Sequence, residues 1–103
     1  MEWYDYVAYF FAGALLANGV PHFVNGISGK RFQSPFAWPP GVGESSAVVN
    51  AIWGLINFGG FYAILFGVGD FVFGINRGAL IVAIGALVTA LFLSAYFQRI
   101  RGQ

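Results

Sequence analysis

Residues 18–36 read NGVPHFVNGISGKRFQSPF, and they mark the place where a long apolar run gives way to charge. The stretch holds the only histidine, His22, the only proline within an apolar run, Pro21, and two of the five basic residues, Lys30 and Arg31. Upstream, residues 3–25 carry a single charged side chain, Asp5, in the first helical turn of that run. Downstream, residues 46–67 and 78–97 carry none. Each run reaches the roughly 20 residues that a helix rising 1.5 Å per residue needs to cross a hydrocarbon core of about 30 Å. An irregular segment in lipid would strand backbone groups at several kcal/mol each, so all three runs are predicted as helices. The fold class is therefore all-α: one integral membrane domain over residues 1–103, with three transmembrane helices and a long, partly ordered first loop over residues 26–45.

Composition points the same way. Of 103 residues, 58% are hydrophobic and only 9% charged, against about a quarter charged in soluble domains. With no cysteine there is no disulfide framework and no thiolate site. A net charge of +1 supplies no polybasic field, so no nucleic-acid partner is expected. The opening Met1-Glu2-Trp3-Tyr4-Asp5 lacks the basic start of a secretory signal, and the first run is expected to be kept as an anchor.

Three spans place the first loop and the tail on one side of the bilayer. That side carries Lys30, Arg31, Arg99 and Arg101, and the other side only Arg77. The positive-inside rule then predicts an N-terminus outside and a cytoplasmic C-terminus. A connection of about twenty residues is usually functional or disordered. Its apolar members, Ile27, Phe32, Phe36, Ala37 and Trp38, predict a segment lying in the interface or folded under the helices. Ser45 or Ser46, following Glu44, is the expected N-cap of the second helix, with the acid favourably placed at its start.

The polar residues inside the runs are few and regularly spaced. Asn18, His22 and Asn25 stand at i, i+4 and i+7, along one face of the first helix, and Asn50, Trp53 and Asn57 share a face of the second. Counting rise from the outer end puts Asn18 about 9 Å above the inner edge, and Trp53 about 10 Å above it, so the two faces match in depth. One reading is interhelical hydrogen bonding, worth about 0.6 kcal/mol per bond on average. The other is a ligand, solute or proton site, which intramembrane polar groups mark by default. Pro21 frees the carbonyl of Ala17 and is expected to kink or end the helix, with Asn57 or the Trp53 indole as a partner for that carbonyl. His22 is a potential haem ligand only with a second ligand from a partner chain, since Met1 is the only methionine. One histidine without a buried carboxylate predicts no metal site. Lys30 and Arg31, beside Ser34 and the loop glycines, are candidates for binding an anionic headgroup.

The third run offers small residues instead, Gly78, Ala79, Ala83, Gly85, Ala86, Ala90 and Ser94, and the second adds Gly59, Ala63 and Gly67. Such surfaces let helices approach closely, and self-association is expected from them. The pattern HFxNGxxGxxFxxPFA from His22 to Ala37, followed by WGxxN from Trp53 to Asn57, resembles a group of uncharacterised small bacterial three-helix membrane proteins. That resemblance implies a bacterial inner membrane and brings no activity with it. The chain is also similar to half-size SWEET sugar transporters, which dimerise around a solute path. Pro21-His22 stands where their Pro-Gln pair ends the first helix and Trp53 where a tryptophan lines the path, while the third helix here has no asparagine. DoxX-like proteins are similar in size and polarity but usually have four helices.

Three functions follow as expectations. The first is a non-enzymatic membrane protein, self-associating or an accessory subunit of a larger membrane complex. The second is an oligomeric transporter or channel for a small solute or protons, lined by Asn18, His22, Asn25, Asn50, Trp53 and Asn57. The third is a haem- or quinone-binding electron-transfer component using His22. No nucleophile with its base, carboxylate pair or metal cluster supports an enzyme.

Overall fold

A computed structural model describes residues 1–102. Three helices dominate it, α1 (Trp3–Ile27), α2 (Ala47–Gly67) and α3 (Arg77–Ile100), with two short strands, β1 (Phe32–Gln33) and β2 (Glu44–Ser45), in the first loop. All three helices are long and apolar enough to cross a membrane, and the protein is an integral membrane protein. Side chains that no element covers are apolar along their length: on α3, Leu80, Ile84, Leu87 and Leu91 form one exposed stripe that suits acyl chains.

The helix ends follow local chemistry. Ser46 caps α2 by accepting from the Val49 amide at 3.2 Å, and Asn76 caps α3 by accepting from the Ala79 amide at 2.9 Å. Ser45 belongs to β2 rather than to a cap, and Glu44 turns away from the helix towards Arg101, 3.6 Å distant. The acid therefore ties the loop to the end of α3 instead of charging the start of α2. At the start of α1, Asp5 accepts from the Glu2 amide at 2.9 Å.

Pro21 does not end α1, one of the two outcomes expected of it; the helix continues to Ile27. Neither expected partner turns to the Ala17 carbonyl: Asn57 donates to the Trp53 carbonyl at 2.8 Å, and the indole N–H of Trp53 has no partner. One missing amide does not stop a helix whose neighbouring turns are held by packing. The turns around Pro21 have such support, since Gly19 and Gly26 lie close against α2.

The helix α1 is the centre of the fold. It packs against α2 on one side and α3 on the other, while α2 and α3 make few contacts with each other. Glycine sets both crossings. A Cβ at Gly26 would overlap the backbone of Ala47 and Ala51, and one at Gly54 would fall 2.7 Å from the Phe23 amide nitrogen. On the opposite side, Gly13 lies against the backbone of Val82 and Ala86, and Gly85 against that of Phe10. These contacts occupy part of the small-residue surface of α3 within the chain. Gly59 and Gly67 of α2 face open space.

The link from α2 to α3 passes over the start of α1, where Tyr9, Ala12 and Leu65 form a fully buried core. Tyr9 donates its hydroxyl to the Val68 carbonyl at 2.6 Å and meets the Phe71 ring edge-on. That end of the bundle is thereby closed.

Candidate functional site

At the other end the first loop folds back beneath the helices as a lid. Its strands pair antiparallel, with Phe32 opposite Ser45 and Gln33 opposite Glu44. Between them the Gly43 amide donates to Pro39 and the Gly41 amide to Ser34, closing the loop around the Trp38–Pro39 cis peptide bond. Gly41 adopts φ +76°, the left-handed region that favours glycine. Its carbonyl accepts the Tyr96 hydroxyl of α3 at 2.8 Å. Arg101 donates to Gln33 Oε1 at 2.7 Å and lies 5.0 Å from the centre of the Phe32 ring, so the end of α3 clasps the lid from below.

Above the lid, the polar faces of α1 and α2 meet as two pairs. Asn18 Nδ2 donates to Asn57 Oδ1 at 3.0 Å, and His22 Nδ1 lies 2.8 Å from Asn50 Oδ1. Asn50 is the hub. Its Nδ2 donates to the carbonyls of Phe32, Ser45 and Ser46 at 3.0, 3.1 and 3.1 Å, so one side chain joins α1, the lid and the start of α2. Three carbonyls around the amide nitrogen fix its orientation, leaving Oδ1 to face the imidazole. Phe32 and Phe97 pack edge-on against the His22 ring.

Of these groups, Asn18, His22 and Phe97 border a cavity of about 340 Å³. Asn18 and His22 of α1 form its floor, Trp53 of α2 one wall, Phe92, Leu93, Tyr96 and Phe97 of α3 the other, and Gln33, Ser34, Pro35 and Gly41 of the lid its base. Opposite α1 lies the gap between α2 and α3. Trp53, held edge-on by Phe36 at 5.0 Å, lines the cavity with its ring, while its indole N–H is sealed even from water and has no hydrogen-bond partner among the described residues. Such an orphan donor costs about 1–3 kcal/mol.

Not every residue expected at the site belongs to it. Asn25 turns back on its own helix and donates to the Pro21 carbonyl at 2.7 Å. It lines a separate groove of about 500 Å³ on the other face of α1, towards Ala90 and Ser94. Close packing of Gly26 on Ala47 and Ala51 leaves no cavity between α1 and α2 at that level. Asn50 and Asn57 are buried behind the cavity and position its lining rather than form it. Lys30 and Arg31 are exposed outside the lid, where Arg31 donates to the Glu44 carbonyl at 3.1 Å. Gln33 and the aromatic end of α3 are site residues that spacing alone missed. The signal for Gln33 was a polar residue held between Phe32 and Ser34 in a loop too apolar to be solvated.

No family model, curated protein or solved structure matches the chain. What the site does must be read from its own groups. Among the described residues no acidic or basic side chain other than His22 lines the cavity. Among the described residues no three His, Cys, Asp or Glu side chains gather to hold a metal ion. The cavity offers acceptors on α1, the Gln33 side-chain amide of the lid and an apolar, partly aromatic wall. Such a lining suits a small amphiphilic molecule.

Proposed function

We propose that this is a non-enzymatic membrane protein that binds a small uncharged molecule under its lid and serves as a ligand-responsive accessory component. The observation that carries the reading is an apolar cavity whose floor presents the unpartnered His22 Nε2. A one-ended cavity favours binding over conduction, because the opposite end is packed by Tyr9, Ala12 and Leu65. Its volume lies at the lower end of the roughly 300–1,000 Å³ typical of ligand pockets.

Filling the cavity tests this. Leu93→Trp is expected to lower the occupancy of a co-purifying small molecule at least tenfold in native mass spectra of the detergent-extracted protein, at unchanged unfolding temperature. Equal occupancy in both proteins, or an empty wild type, counts against the reading. Self-association is a second reading, supported by the open space in front of Gly59 and Gly67. The same spectra report it as the number of subunits, and a monomer under all conditions removes it.

We further propose that the lid end faces the cytoplasm of a bacterial inner membrane. Formal charges at that end, Lys30, Arg31, Arg99 and Arg101 against Glu44, sum to +3, whereas Arg77 against Glu2, Asp5 and Asp70 sums to −2. The exposed Lys30 and Arg31 then meet anionic headgroups. Because the chain has no cysteine, Ser28→Cys and Val72→Cys each give one thiol. An impermeant maleimide added to intact cells is expected to label Val72→Cys alone; labelling only Ser28→Cys reverses the orientation.

A further inference from the structure

We infer that the ligand of the cavity is an uncharged, hydroxyl-bearing molecule of about one ring with a short apolar tail, an alkylphenol or comparable alcohol, which donates its proton to His22 Nε2. This rests on the cavity being a ligand site, as proposed above, and adds the chemistry that the site selects.

The argument starts at Asn50. With its Nδ2 committed to three carbonyls, its Oδ1 is an acceptor, and the His22 nitrogen 2.8 Å away must be the donor. The proton of the uncharged imidazole is thus on Nδ1, and Nε2 carries a lone pair. Nε2 has no partner among the described residues and is not sealed off. The cavity is the space that His22 lines.

The second pair repeats the logic one turn away. Asn57 gives its Nδ2 to the Trp53 carbonyl, so its Oδ1 accepts from Asn18 Nδ2, and Asn18 Oδ1 is left as another free acceptor on the same floor. Two acceptors on α1 call for a ligand proton donor. An ether or ketone would leave both unanswered, and an anion would meet them with repulsion and find no cationic side chain in the lining. Size agrees: a dry cavity of about 150 Å³ accommodates benzene, and this one is about 340 Å³ and largely apolar. Entry is through the apolar gap between α2 and α3, from the bilayer, where such molecules partition.

The single histidine makes the test direct. In protein labelled with ¹⁵N-histidine and ¹⁵N-tryptophan, Nδ1 is expected to resonate as a protonated nitrogen and Nε2 as an unprotonated one. Adding para-propylphenol should move the Nε2 resonance and bind about tenfold more tightly than its methyl ether, para-propylanisole, the equivalent of one hydrogen bond. His22→Phe should abolish that preference while the ether still binds; the spectra of the unaltered protein stand whether or not this variant folds. A proton found on Nε2, or an ether that binds as well as the phenol, overturns the hydroxyl inference and leaves the ligand site intact. If neither probe moves the His22 or Trp53 resonances, both the inference and the ligand-site reading fall.

Discussion

Asn50→Leu is expected to destabilise the protein by about 3–5 kcal/mol, the largest loss for any single polar side chain. Four hydrogen bonds end on this residue, linking His22, the carbonyls of Phe32, Ser45 and Ser46, and through them α1, the lid and α2. Side-chain bonds between membrane helices average about 0.6 kcal/mol each, because the unfolded chain in lipid also finds partners. Four give roughly 2.4 kcal/mol by that measure, and the buried imidazole N–H left without an acceptor adds about 1–3 kcal/mol. Asn57→Leu is the control. It breaks one bond to α1 and one to its own helix, for a cost of about 1 kcal/mol. Unfolding by denaturing detergent, followed by circular dichroism, compares the two, and equal losses would sink the account of Asn50 as hub.

Gly85→Val acts on backbone rather than on hydrogen bonds. A Cβ at Gly85 would overlap the carbonyl group and Cα of Phe10. A flexible side chain can step aside, but a helix backbone can only move as a whole, so α1 and α3 must separate along the crossing. Overpacking of side chains costs about 1–3 kcal/mol, and a clash with backbone is expected at the top of that range or above it. Gly59→Val adds the same atoms to a surface with nothing within 4 Å and should be near neutral. Similar melting behaviour for the two variants would show that α3 does not cross α1 at Gly85.

Much of this architecture was legible in the order of residues. Apolar run lengths placed the three helices to within three residues at each end, because a bilayer demands length and composition before anything else. The matched depths of the two polar faces anticipated a meeting of α1 and α2 there, but not which pairs form, Asn18 with Asn57 and His22 with Asn50. Asn25 shows the limit of spacing. Periodicity gives the direction in which a side chain leaves the helix, but the partner depends on what stands there, and tight packing of Gly26 on α2 sends Asn25 to its own backbone. The cavity wall on α3 was hidden for another reason. Phe92, Leu93, Tyr96 and Phe97 read alike whether they face lipid or a pocket. The lid depended on pairings such as Tyr96 with Gly41, 55 residues apart, which no local pattern announces.

The position of α1 between two partners that scarcely meet bears on how the protein is made. As the chain emerges, α2 can fold back on α1 as soon as it leaves the ribosome, since the two are joined by the lid. The last segment has no such shortcut: it must be carried across the start of α1 and settle on the far flank. A hairpin of α2 and α3 alone would have little holding it shut, so the first of the three helices to be synthesised is also the template on which the other two assemble.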